Sequence, residues 1–263
     1  MGQVWGSERG GGSIGALAVL VLLGGVAVAG VLGNRHHDDE LPPVDFAKLT
    51  ASSTQTTIAS APLDPQPFAG TDGLVVHPRA ETALYTAPDA VAFGKIAPTQ
   101  FGATWLPVVE KTDGWVRVLL PSKPNRSTGW IQDENLDRAA SSYLVRVHTG
   151  SRTIELFEEG KSLGEWKAGV GAKATPTPPG RTFLLGSIID KTRSASPVVL
   201  PLGAHSPTLD TFGGGPGTVA IHGWPRPDVF GAAISAGCVR VPRTALAKLQ
   251  QVPLGTLVLI DSK

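Results

Sequence analysis

Hydrophobic and polar positions fall into three patterns along the chain. Residues 14–32, IGALAVLVLLGGVAVAGVL, are uncharged and almost wholly apolar. As a helix, nineteen such residues span roughly 28 Å, about the hydrocarbon thickness of a bilayer. From about residue 80 to 138, short apolar segments at 83–85, 104–110, 115–120 and 129–131 alternate with turn residues, and Asp113-Gly114 between two such runs predicts a hairpin. From residue 142 the alternation resumes: Tyr143, Val145 and Val147 point one way, Leu144, Arg146 and His148 the other. Strands are predicted there at 153–157, 166–170, 182–189, 197–202, 218–222 and 257–260. Pro242 can start a short helix through 243–251, with Ala245, Leu246 and Leu249 on one face. The pattern predicts a mainly β protein.

Between these stretches, residues 34–78 shift to Pro, Ser, Thr, Ala and Asp with little apolar periodicity, which predicts a disordered linker. About forty such residues would have a root-mean-square reach of roughly 35 Å. The organisation expected is therefore 1–33 membrane anchor or signal segment, 34–78 linker, 79–139 small β domain and 140–263 larger β domain. Ala27-Val28-Ala29 could serve as a signal cleavage site, but the apolar run continues to Leu32, beyond a usual signal core. An uncleaved anchor with the folded part outside the cytoplasmic membrane is the preferred reading, and secretion after cleavage the alternative.

Composition narrows the function classes. A formal charge of +1 gives no reason to expect nucleic acid. Gly 32 and Pro 22 fit a turn-rich β protein. The single cysteine, Cys238, excludes an intramolecular disulfide and a multi-thiolate zinc site, and no metal or cofactor is expected.

That cysteine lies in residues 221–240, IHGWPRPDVFGAAISAGCVR, sixteen positions after His222. Imidazole suits the task of taking a thiol proton near neutral pH. Glycines 223, 231 and 237 suggest tight turns and close backbone approach. Cys238 is read as opening a loop into the predicted helix, whose onset would lower the thiol pKa. On that reading the N–H groups of Gly237 and Cys238 are donors to a developing oxyanion. Arg240 would hold a substrate carboxylate or fix the loop, Ser235 would shape the turn, and Trp224 would stack on substrate or serve the core. The plain alternative is that a lone cysteine acts as a small buried hydrophobe.

Two family resemblances sharpen this. LYTAPDA, VVEKTDGWVRVLL and GWI, within 79–139, resemble bacterial SH3-like domains of cell-envelope enzymes, which implies a small β-barrel that binds the wall or braces a catalytic partner. IHG followed by SAGCVRV, with TPTPPGRTFLL upstream and PLGTLVLID downstream, resembles the YkuD-type L,D-transpeptidase family over roughly 142–261. This second resemblance implies a β-sandwich-like catalytic domain, Cys238 as nucleophile, His222 as base, and Ser235, Gly237 and Arg240 as further motif positions. It implies peptidoglycan stem peptides as substrate, a cell-envelope location, and 3-3 cross-linking through a thioester with release of D-alanine. Water as acceptor (a carboxypeptidase) and a non-catalytic wall-binding protein are the alternatives. Many members carry His, Arg or Asn between the serine and the glycine; this chain has Ala236, so support for the base must come from backbone or from another residue, with His148 and His205 as candidates.

Overall fold

In the computed structural model, residues 41–212 and 215–263 are described. The apolar run at 14–32 lies outside them, and among the described residues no helix is long and apolar enough to cross a membrane.

The first group of strands is β1 (Leu74–Pro78), β2 (Thr82–Tyr85), β3 (Ala92–Ile96), β4 (Leu106–Thr112), β5 (Trp115–Leu119), β6 (Thr128–Gln132) and β7 (Leu136–Ala140). They hydrogen-bond in the order β3-β2-β6-β5-β4-β1-β7. The hairpin at Asp113-Gly114 joins β4 to β5, with Gly114 at φ +70°, a conformation glycine adopts without steric cost. Strands β1 and β7 fall outside the segments expected from alternation. They pair with each other from Leu74↔Ala140 to Pro78↔Leu136, and β1 also pairs with β4.

The expectation of a disordered linker at 34–78 is overturned where the structure describes it. Beyond contributing β1, the stretch lies along the first strand group through bridges at Ala51↔Lys95, Thr57↔Lys123 and Leu63↔Ser127. Ile58 and Ala61 are buried, and so are Ser52, Thr54 and Asp64. Ser52 Oγ donates to Ser122 Oγ at 2.8 Å, and Asp64 meets Arg181 in a buried two-point ion pair. Its order comes from polar side chains satisfied one by one, a source of burial with no hydrophobic period to read.

The second group runs through β8 (Tyr143–His148), β9 (Thr153–Glu158), β10 (Lys161–Lys167), β11 (Val170–Gly171) and β12 (Gly180–Phe183). Next come β13 (Ile188–Ile189), β14 (Val198–His205), β15 (Thr211–Phe212), β16 (Gly215–Pro216) and β17 (Thr218–Gly223). β18 (Ala233–Ser235), β19 (Val239–Val241), helix α1 (Arg243–Leu249) and β20 (Leu257–Asp261) follow. A five-stranded sheet in the order β10-β9-β8-β20-β12 packs on a four-stranded sheet in the order β13-β14-β17-β19. Between them Val145, Val147, Ile154 and Leu156 meet Leu200, Leu202, Val219 and Ile221, and α1 adds Ala245, Leu246 and Leu249.

β20 is buried on both faces, which is why LVLI reads as an unbroken apolar run. Val258 and Ile260 belong to the core between the two sheets. Leu257 and Leu259, with Phe183 and Leu185, belong to a second core shared with Val76, Leu84, Ile96 and Leu106 of the first strand group. Full burial of one large aliphatic side chain contributes about 1.5–3 kcal/mol. The shared core therefore binds the strand groups into the single unit that begins at Leu41.

Candidate active site

The four-stranded sheet builds the site through its register. β17 and β19 run parallel, with Ile221↔Val239 and His222↔Arg240 side by side, which sets Ala220 beside Cys238. β14 lies antiparallel on the other edge of β17, with Val199↔His222 and Pro201↔Ala220, and Ile188 of β13 sits opposite Val199. Side chains alternate between sheet faces. Leu200, Ile221, Val239 and Val241 therefore enter the core, while Ile188, Val199, His222 and Arg240 form one row on the other face and Pro201, Ala220 and Cys238 the next. Both rows line one open cleft of ≈ 590 Å³.

The surroundings of Cys238 and His222 favour the neutral form of each. Burial pushes the His222 imidazole below its ordinary 6.5; its bond to the Gly223 carbonyl opposes this, and the charges of Arg240 and Arg193 reinforce it. Nδ1 lies 2.8 Å from the Gly223 carbonyl oxygen, a contact that only Nδ1–H can make as donor, so Nε2 carries the lone pair. Burial pushes the Cys238 thiol above its ordinary 9.0, against smaller opposing effects from the Ala220 backbone and the Arg240 charge. Both directions favour the neutral imidazole and the neutral thiol.

This corrects the expectation that a helix onset activates the thiol. Cys238 leads directly into β19, and α1 begins only at Arg243, after Pro242. The dipole of a seven-residue helix beyond an intervening strand falls off before it reaches the thiol.

The turn around the cysteine is fixed by hydroxyls. Ser235 Oγ donates to the Cys238 carbonyl at 2.6 Å and accepts the Gly237 N–H at 3.1 Å. The Gly237 N–H is thus engaged within the turn, and of the two expected oxyanion donors the Cys238 N–H remains. Gly237 itself sits at φ +115°, where a side chain would be strained. The proline-rich loop clamps this turn from the other side: Thr177 Oγ1 donates to the Gly237 carbonyl at 2.9 Å and Thr175 Oγ1 to the Ser235 carbonyl at 2.8 Å. Neither threonine was singled out from the sequence, although each directly precedes a proline and can serve the loop as a side-chain donor. Gly223 donates its N–H to Ser196 Oγ at 2.9 Å, and a Cβ there would collide with the Ala195 carbonyl oxygen.

Arg240 stacks on Trp224, with Cζ 3.7 Å from the ring centroid, and Trp224 in turn sits 5.9 Å from the His222 ring. Trp224 therefore braces the two site side chains. The Arg240 Nε is buried without a hydrogen-bond partner, and among the described residues no carboxylate forms an ion pair with Arg240. Phe212, Gly215 and Pro216 of the β15–β16 hairpin border the cleft, as does Phe101 from the first strand group, which sequence reasoning missed.

Neither histidine considered as support for the base is at the site. His148 lies on β8 in the other sheet, with Nδ1 2.7 Å from Asp261 and Nε2 3.2 Å from Glu155. His205 is buried near the end of β14 with Nε2 2.6 Å from the Pro121 carbonyl oxygen. The Gly223 carbonyl is the hydrogen-bond partner of the His222 ring, to which Ala236 offers no polar side chain.

Residues 142–260 match the family described as the YkuD L,D-transpeptidase catalytic domain. A Bacillus subtilis (strain 168) protein assigned as the L,D-transpeptidase YkuD is similar at 27% identity over 150 residues, covering 54% of this chain and 84% of the relative. Among solved structures, an L,D-transpeptidase from Mycobacterium smegmatis is 15% identical with a TM-score of 0.37, covering 84% of this chain and 98% of its own. The L,D-transpeptidase of Xylanimonas cellulosilytica DSM 15894 is 23% identical with a TM-score of 0.33, covering 46% and 61%.

Proposed function

Because residues 142–260 are an L,D-transpeptidase catalytic domain of the YkuD family, we propose that this chain cross-links peptidoglycan stem peptides through a thioester on Cys238. The observation that carries the reading is the parallel register of β17 and β19. It sets the thiol and His222 on one face of one cleft, while the Gly223 carbonyl holds Nδ1–H and leaves Nε2 to act.

In the first step His222 Nε2 takes the Sγ proton as sulfur attacks the carbonyl carbon of the residue preceding a terminal D-alanine. The tetrahedral oxyanion accepts the Cys238 N–H. Its collapse breaks the peptide C–N bond, the imidazolium returns the proton to the leaving nitrogen, and D-alanine departs. In the second step the side-chain amine of another stem's diamino acid attacks the thioester carbon and gives its proton to His222. A 3-3 cross-link forms, and the thiol is restored with that proton. Arg240, stacked on Trp224 and without an acidic partner among the described residues, binds the carboxylate of the donor peptide.

The rest of the reading concerns location. Residues 14–32 anchor the chain in the bacterial inner membrane, and the part from Leu41 onward works on the wall side. The small β domain at 79–139, read as SH3-like, braces the catalytic domain and contacts the wall.

The test is acylation. Intact-mass measurement after incubation with a carbapenem should show one adduct on the wild type and none on Cys238→Ala. Absence of an adduct on folded wild type would sink the proposal. Muropeptide analysis then separates the acceptors, since 3-3 dimers require an amine and tripeptides without dimers indicate water.

A further inference from the structure

The cleft that holds Cys238 and His222 is not built by the transpeptidase domain alone. Phe101 comes from the first strand group, at the tip of a small hairpin closed by the bridge Thr99↔Ala103 and by the Gln100 N–H donating to the Gly102 carbonyl at 2.8 Å. Phe101 is 44% exposed and lines the cleft. A phenylalanine left in water at the edge of a reaction cleft, outside every core cluster of the described residues, calls for a role other than packing.

The backbone around it is built for that position. Phe101 adopts φ +53°, which a bulky residue takes up only where its surroundings hold it. Gln100 Nε2 donates to the Ser52 carbonyl at 3.0 Å and pins the hairpin from behind. From the front it rests on Gly186, where a Cβ would lie 2.6 Å from the Phe101 Cβ. Only glycine at 186 lets the two strand groups approach so closely, and the approach brings the ring to the cleft beside Ile188.

Across the sheet, the row Ile188, Val199, His222, Arg240 crosses three strand spacings, about 14 Å, which is about four residues of extended peptide. At one end of that row stands Arg240, and at the other Ile188 and Phe101 present apolar surface; Arg193, paired with Asp190, also lines the cleft, and among the described residues no carboxylate does.

We propose that Phe101 and Ile188 form an apolar subsite that holds the aliphatic part of the donor peptide at the end of the cleft opposite Arg240. This rests on the transpeptidase reading above. Phe101 is a substrate-positioning residue supplied by the N-terminal strand group, and docking of that group completes the groove.

The experiment measures D-alanine release from a tetrapeptide donor by the full chain, with the rate of Cys238 alkylation by iodoacetamide as an index of thiol reactivity. Phe101→Ala should raise KM about tenfold, the scale of one lost apolar contact, with kcat and alkylation unchanged. Phe101→Leu should recover most of the loss. Gly186→Ala, which displaces the ring without removing it, should raise KM in the same way. An unchanged KM in Phe101→Ala, with the wild type active, overturns the subsite and leaves the transpeptidase reading intact. A parallel fall in alkylation overturns it too, by showing that Phe101 only supports the fold. A wild type that acylates no donor overturns both readings.

Discussion

His222 donates its Nδ1–H to the carbonyl oxygen of the next residue, Gly223, at 2.8 Å. One short local contact fixes the tautomer, orients the ring and leaves the lone pair on Nε2, without a carboxylate behind the histidine. A backbone carbonyl cannot be protonated or mutated away, and it carries no full charge to stabilise an imidazolium. The imidazole therefore stays neutral to lower pH than a carboxylate-backed histidine would.

The pH profile follows from that arrangement. With His222 depressed below 6.5 and Cys238 raised above 9.0, the neutral base and neutral thiol coexist across the neutral range. Donor kcat/KM should lose activity on the acid side only below pH 6.5. Iodoacetamide alkylation, which reports thiolate, should keep rising to a midpoint above pH 9.0. An alkylation midpoint well below neutrality would mean a resting thiolate–imidazolium pair instead.

Arg240 should act through charge complementarity. Arg240→Gln keeps a planar amide over Trp224 but removes the cation, and should raise KM for a donor ending in a free carboxylate by about ten- to a hundredfold, the range for a charged hydrogen-bonded contact. A donor whose terminal carboxylate is amidated should be equally poor for both proteins. Equal loss with both donors would assign Arg240 to holding Trp224 and His222 in place.

Ser235→Ala tests the turn. It leaves the buried Gly237 N–H without its acceptor and the Cys238 carbonyl without its donor, a loss of about 1–3 kcal/mol. The acylation rate should fall at least as much as stability, because the same turn aims the thiol. Melting temperature and carbapenem acylation rate, measured on one preparation, check both parts. Thr177→Val should produce the same effect more weakly from the far side of the turn.

Asp64 and Arg181 lie more than a hundred positions apart in sequence, yet Arg181 Nη2 donates to Asp64 Oδ1 at 2.8 Å, with both side chains buried. Arg181 also donates to the carbonyls of Ala69 and Gly70, at 3.3 Å each. Asp64→Ala strands a buried guanidinium and should cost about 3–5 kcal/mol. Denaturant unfolding measures the loss, and limited proteolysis should show cleavage within residues 50–73 that the wild type resists.

Much of this architecture was legible. Val145 and Val147 in one strand and Ile154 and Leu156 in the next recur at every second position because one face of each strand enters the core, and Cys238, His222 and Arg240 could be named from their spacing and motif. What escaped did so for physical reasons. Ser52, Thr54 and Asp64 are buried through individual hydrogen bonds and an ion pair, which leave no period in the sequence. Val239–Val241 is too short to announce itself as a strand, so the sequence alone suggests a helix onset after Cys238, and the parallel pairing that sets the site is a long-range property. Phe101 reached the cleft only through the fit between its hairpin and Gly186, which no local signal encodes.

Leu257–Asp261 has a further consequence, in the order of events during folding. Its four apolar residues divide between two cores, and its partners are Tyr143–His148 in parallel and Gly180–Phe183 in antiparallel, both far upstream. Both cores are complete only once residues 257–260 are in place, so the last strand of the chain ties together segments laid down long before it.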